Sequence, residues 1–407
     1  MGFGADLFSA ITTFGASSFD IGSDLINALD FLGHNVSRSM SEGLSKSLYL
    51  RHNLTSIHGL DETSNAESPE IHDVHRIWGA LGILIMFFPG IIRIPKALVY
   101  LMHGRNMFKE AEKDFGIRNE TKLKKVEGLV FQVCAILFYP IAMIFGSISV
   151  LFRTFRGKGS EVQKLSTVMV GQEAFFESFP QLLLQCFTIA YGYEVTTVQK
   201  VTIFASFFFL ARVSIAYDLL WEEPSFKDTM IQTAKLLPAH VTTIMFRVSA
   251  FTMTMVYLRE WAVIPIFVLY LEILTMAYIK YQSVQDPVVR FRSIWYRSLS
   301  NLAVLNVYDP LETHMDEGEK RRCRNFIILS AVTTFVHHVI VITSILMLSF
   351  YYPEHFLHER FEKLIVRPGG DQFFYAFSIT YALGISSLVL CLHLSARVSN
   401  LKVEVLR

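Results

Sequence analysis

Charge is scarce in this chain: of 407 residues only 18% are Asp, Glu, Lys or Arg. A soluble domain of this length needs more ionised surface to stay in water, which argues against a soluble globular protein and for a membrane one. Neither sign of charge is in excess. The formal net charge is +1, so no global field calls for nucleic acid or an acidic substrate. Cysteine is sparse too. Of Cys134, Cys186, Cys323 and Cys391, three lie inside apolar runs and Cys323 lies in a basic stretch. No CxxC pair or secreted disulfide framework is present, so these four read as packing residues. Catalytic signatures are missing as well. There is no nucleophile–base constellation, phosphate-binding loop or HExxH helix, and neither an enzyme nor a cofactor nor a metal is expected.

What the chain has is apolar length. Hydrophobic residues make up 52% of it, 35 of them Phe, and the mean hydropathy is +0.38. Candidate apolar segments fall at 6–31, 77–101, 129–151, 168–190, 201–221, 236–258, 261–279, 294–307, 326–350 and 372–394. Most reach the ~20 residues that cross ~30 Å of hydrocarbon as a helix. Lipid cannot satisfy backbone polar groups, so these segments must be helical. The first carries Asp6, Asp20 and Asp24 and has no basic region before it. It reads as a retained span and not as a cleaved signal.

Basic residues decide the orientation. With all ten segments spanning and a cytosolic N-terminus, nine basic residues (Arg153, Arg156, Lys158, Lys164, Lys227, Lys235, Lys280, Arg290 and Arg292) fall outside, against the positive-inside rule. Segment 294–307 is too short to span, and 129–151 has Pro140 in its middle. If these two dip in and return, all nine become cytosolic. The expected fold is therefore all-α and polytopic, with about eight transmembrane helices plus two re-entrant helices in two pseudo-repeated halves. The whole chain, 1–407, forms a single membrane domain. In this topology 33–76 is an extracellular loop whose sequons at Asn35 and Asn53 are accessible to glycosylation. Loops 102–125 and 308–325 and the tail 396–407 are cytosolic, and the basic runs Lys122-Leu123-Lys124-Lys125 and Lys320-Arg321-Arg322 mark that side.

Charges within the apolar segments are the informative residues. Asp6, Asp20 and Asp24 share one stripe of the first helix with Thr13, Ser17 and Asn27. An ionised Asp at mid-bilayer costs roughly 2.5–3.5 kcal/mol even on the lenient insertion scale, so partners or water must offset it. Segment 168–190 repeats the device with Glu173 and Glu177 at i, i+4, followed by Ser178, Pro180, Gln181 and Gln185. Arg212 and Asp218 in the fifth segment, Arg247 in the sixth and Arg93 in the second can supply compensation. Glu272 and the pair His337-His338 are further intramembrane candidates, although adjacent histidines on a helix cannot converge on one metal. Buried ion pairs that only hold helices together would explain any single residue. A row of carboxylates across the bilayer better suits a hydrophilic path for something polar, because small residues and hydroxyls join helices at lower cost.

The run Gln172-Glu173-Ala174-Phe175-Phe176-Glu177-Ser178-Phe179-Pro180-Gln181-Leu182-Leu183-Leu184-Gln185 resembles the E-x-F-x-E-[ST]-x-P-Q-L-x-L signature of the XK-related family. Phe19-Asp20-Ile21-Gly22-Ser23-Asp24-Leu25 resembles that family's first-helix D-x-G-x-D-L, with Asp6 as the acid 14 positions upstream. Asn306-Val307 before a basic stretch resembles its second re-entrant segment. The resemblance implies eight spans with two in-membrane helices, and a plasma-membrane location with both termini cytosolic. It also implies bidirectional scrambling of phospholipids, including phosphatidylserine exposure on apoptotic cells by activated members. By the same resemblance Asp6, Asp20, Asp24, Glu173, Glu177, Asp218 and Arg247, with Arg212 beside them, would line a path for headgroups. The expected ligands are membrane phospholipids. The alternative is a non-scrambling membrane anchor for a single-pass membrane, lipid-transfer or peptidase partner. No two Asp lie three apart, so the DxxD site of caspase-activated members is absent, and the loop 33–76 is longer than the family leads one to expect.

Overall fold

The structure, a computed structural model, describes residues 80–90, 136–155, 173–190, 197–219, 226–282, 287–303, 317–351 and 371–399, with Gly171 and scattered positions between 11 and 26. The expectations for Asp6, Asp20, Asp24, Asn35, Asn53, Arg93 and the loops 33–76 and 102–125 lie outside the described residues, as does the side chain of Asp218. Among the described residues the protein is helical throughout, with no strand.

The helices, in chain order, are α1 (Ala80–Gly90), α2 (Tyr139–Phe155), α3 (Phe179–Ala190), α4 (Thr197–Leu219), α5 (Phe226–Leu258), α6 (Val263–Tyr281), α7 (Pro287–Ala303), α8 (Glu317–Tyr351) and α9 (Asp371–Ser399). A π turn over Ala174–Ser178 runs directly into α3, and a 3-10 turn over Arg259–Ala262 joins α5 to α6. Among the described residues four stretches are long and apolar enough to cross a membrane: Thr233–Leu258, Val263–Tyr281, Arg324–Leu348 and Tyr375–His393.

Each boundary has a local cause. Pro140, in the middle of segment 129–151, sits in the first turn of α2. Its missing N–H cannot reach the Ile136 carbonyl, the chain bends at Phe138, and the ladder resumes with the Ala142 N–H donating to Phe138 at 3.0 Å. Pro287 likewise opens α7, where a missing donor is harmless. Helix α8 begins at Glu317, so the second half of the expected loop 308–325, with Lys320, Arg321, Arg322 and Arg324, is helical. An apolar window detects only the hydrocarbon-depth part of a helix, whereas Lys, Arg and Glu propagate the same helix into water.

Packing separates an interior from an outward face. Phe175, Phe176 and Phe179 meet Leu210 of α4, Ile244 and Phe251 of α5 and Ile273 of α6 in the main core. A second core joins α5 to α8 and α9 through Phe246, Val256 and Ile342. Helix α5 touches α3, α4, α8 and α9 and is the hub of the bundle. Phe145, Phe204, Phe267, Ile340 and Val389 point outward, an apolar surface suited to acyl chains and costly in water. A smaller cluster holds Ile21 of the first segment against Met86 of α1 and Tyr139 and Met143 of α2.

Candidate functional site

The run from Glu173 to Gln185 places a polar residue at every fourth position: Glu173, Glu177, Gln181 and Gln185. In a regular α-helix each such step drifts about 40° around the axis. The wider π turn over Ala174–Ser178 takes up part of that drift, and all four side chains stay in the interior. Pro180 has no N–H for the Phe176 carbonyl, and just ahead of it the Phe179 N–H donates to Ala174 with π spacing. Glu173 and Glu177 are both 0% exposed. Gln181 ties this column to α1, its Nε2 donating to the Gly82 carbonyl at 2.7 Å.

The π turn packs against α4 and α7. Helix α7 buries a strongly polar face: Ser293, Arg297, Ser300 and Asn301 recur at helical spacing and are all inside. Asn301 Nδ2 donates to the Arg297 carbonyl at 2.8 Å, and the Ser298 hydroxyl donates to Trp295 at 3.0 Å. Arg297, 1% exposed, lies over the Phe326 ring of α8 at 5.8 Å, and Lys280 approaches the same ring at 5.5 Å. Lys280 Nζ also donates to the Tyr281 hydroxyl at 3.0 Å.

Arg247 of α5 joins the two sides. It is 2% exposed, and one of its terminal nitrogens donates to the Asn301 carbonyl of α7. No carboxylate among the described residues pairs with it. The sequence-predicted Glu173, Glu177 and Arg247 are thus all buried, the first two at the π turn that packs on α7 and the third on α5, bonded to α7 through Asn301. Arg212 lies half-buried on α4, the helix that flanks the π turn, and Asp218 belongs to the last turns of the same helix.

Two candidates of the second rank also meet. His337 of α8 and Glu272 of α6 form a pair, Nδ1 to Oε2 at 3.3 Å. His338 turns inward at 5.8 Å from the His337 ring, edge-on to Phe251 and Phe246 at 5.0 and 5.5 Å. The two rings stand at 84° to one another, and the described residues hold no cluster of metal-ligating side chains. Cys186 and Cys391 are not joined in a disulfide.

Sequence reasoning missed Arg297 and Asn301, although the spacing of Ser293, Arg297, Ser300 and Asn301 was a usable signal of one polar helix face. It also missed the stripe Thr380, Gly384, Ser387 and Cys391 on α9, at i, i+4, i+7 and i+11. A Cβ on Gly384 would lie 2.7 Å from Phe246 and 3.0 Å from Phe335, so only glycine allows this approach of α9 to α5 and α8. Hydroxyls in the same interior satisfy themselves on carbonyls one turn back, as Thr243 does on Ala239, Thr254 on Ala250 and Ser214 on Leu210.

Among the described residues Glu173, Glu177, Arg247 and Arg297 are closed off from the surface. No known protein-family model matches this chain, and no curated protein sequence matches it.

Proposed function

We propose that the protein is a phospholipid scramblase of XK-related type, letting lipid headgroups cross the bilayer along the charged interior while acyl chains remain in lipid. The observation that carries the reading is the burial of two adjacent-turn carboxylates, Glu173 and Glu177, against a helix that buries Arg297 and Asn301, inside a bundle whose outward face is apolar. Each intramembrane charge costs roughly 2.5–3.5 kcal/mol on insertion. Where α5, α8 and α9 meet, Gly384 and the Thr243–Ser387 contact join helices without any carboxylate, so adhesion alone does not call for such charges. A zwitterionic headgroup needs acceptors for its amine or choline and donors for its phosphate, and this interior offers both.

The proposal includes eight spans with two re-entrant segments at 129–151 and 294–307, a plasma-membrane location, cytosolic termini and phosphatidylserine among the lipids moved. Asp6, Asp20, Asp24 and Asp218 complete the path. Since the described part of the interior is closed, transport requires an opened form in which the π turn and α7 separate toward lipid. The test is the purified full chain in liposomes with fluorescent lipid in both leaflets. Dithionite bleaching beyond the outer-leaflet share, about half, supports the proposal, and bleaching that stalls there removes it.

The closed interior favours one second reading, a non-transporting membrane anchor. The exposed Arg321 and Arg322 at the start of α8 would then hold a lipid-transfer, peptidase or single-pass membrane partner. On that reading Glu177→Gln alters folding or partner capture, and lipid flux stays at the level of protein-free liposomes in every variant.

A further inference from the structure

Between α5, α8 and α9 lies a small cleft lined by Arg247, Thr243, Thr334, Ser387 and Cys391, with Gly384 making room at the α9 wall. Its cavity is about 10 Å³, room for one water-sized body. Every polar group on this wall can donate, and no carboxylate among the described residues reaches it. Arg247 uses one terminal nitrogen on Asn301, while its Nε has no acceptor. The Thr334 hydroxyl, 3% exposed, has no hydrogen-bond partner. The Thr243 hydroxyl donates to the Ala239 carbonyl, so in its 3.0 Å contact with Ser387 the Ser387 hydroxyl is the donor, and that proton can turn to a stronger acceptor in the cleft. A guanidinium enclosed in hydrocarbon without a counter-charge is among the costliest arrangements a fold can keep.

We propose that this cleft binds a small monovalent anion of the chloride class, which neutralises Arg247 and accepts hydrogen bonds from its Nε and the hydroxyls of Thr334 and Ser387. A cation is excluded by the guanidinium. Water would fill the space but leave the charge uncompensated. A phosphodiester, with four oxygens and two ester arms, exceeds the cavity. The site does not depend on whether the chain moves lipid. If the chain does, the anion holds α5, α8 and α9 together in the closed form.

The test is thermal unfolding of the purified full chain in nanodiscs, with chloride or bromide exchanged for gluconate at constant ionic strength. The expected result is a saturable rise of a few degrees in the midpoint with either halide, because a ligand bound only by the folded state stabilises it. Arg247→Gln should flatten that rise while Arg212→Gln keeps it. Thr334→Val, which should fold even if Arg247→Gln does not, should weaken the half-saturating chloride concentration roughly fivefold, the effect of one lost hydrogen bond. A midpoint indifferent to halide in the unaltered protein overturns the site, as does a halide response that survives in both Arg247→Gln and Thr334→Val. Short-chain phosphatidic acid in gluconate that gives the same rise and leaves chloride without further effect would put a lipid phosphate there and likewise overturn it.

Discussion

Helices α5 and α9 pack against one another and both can cross a membrane, yet the membrane-depth stretch of α5 is 61% buried and that of α9 only 22%. Their residues follow the difference. Packed against α3, α4, α8 and α9, α5 carries His240, Thr243, Arg247 and Thr254 at interior positions. Helix α9 turns Tyr375, Ile379, Ile385 and Val389 to the outside and keeps a narrow inward stripe of Thr380, Gly384, Ser387 and Cys391. A helix with neighbours on every side can hold a cation, because backbone carbonyls and hydroxyls reach it. A helix at the lipid boundary can afford only small groups that bond across one seam. Burial thus decides where charge is tolerated.

The largest expected effect tests the interior side of this contrast. Phe251 of α5 is 3% exposed and meets Phe179 at 6.3 Å and His338 at 5.0 Å, both edge-on. Phe251→Ala should cost about 3–5 kcal/mol of stability in detergent denaturation, whereas Phe204→Ala, at a position 76% exposed, should cost far less. Equal losses at the two sites would contradict the assignment of inside and outside.

Next is the seam between α5 and α9. Gly384→Ala pushes a methyl to 2.7 Å from the Phe246 ring and should destabilise by about 1–3 kcal/mol. Gly15→Ala, where nothing lies within 4 Å, should instead stabilise by up to ~1 kcal/mol through helix propensity. The signs of the two shifts in unfolding midpoint check the account, and a neutral Gly384→Ala would mean α9 stands off from α5. The smallest effect belongs to the boundary pair: His337→Gln should cost ~0.6 kcal/mol, the usual worth of a polar contact between membrane helices. A loss several times larger would show that Glu272 and His337 belong to the interior.

Much of the helical framework was legible. The expected segment 261–279 is α6 at Val263–Tyr281, and 201–221 is α4 at Thr197–Leu219, because both are apolar for most of their length. Segments 236–258 and 326–350 came out short, since Phe226–Leu258 and Glu317–Tyr351 extend through polar residues that an apolar window discards. The site was half legible. Glu173 and Glu177 stood out as charges in an apolar run, but Arg297 did not: it lies in the expected re-entrant segment 294–307, yet it follows Arg290 and Arg292 along α7 and reads as one more basic residue at the segment's edge. Nor did the π turn, whose i→i+5 bonds leave no signature beyond a proline at Pro180. The neighbour relation between Glu272 and His337 depends on the rotation of α6 against α8, which spacing along either helix cannot give.

The central claim, that the enclosed charges and not the boundary pair handle headgroups, is tested most directly by comparing Glu177→Gln with Glu272→Gln in the same dithionite liposome experiment. Both substitutions keep shape and remove one carboxylate, the first at 0% exposure beside α7 and the second at the α6–α8 boundary. The account predicts that Glu177→Gln holds bleaching at the outer-leaflet share while Glu272→Gln scrambles at nearly the unaltered rate, both variants being folded by their unfolding midpoints. Full-rate scrambling by folded Glu177→Gln, or bleaching that stops at the outer leaflet for the unaltered chain, would contradict it.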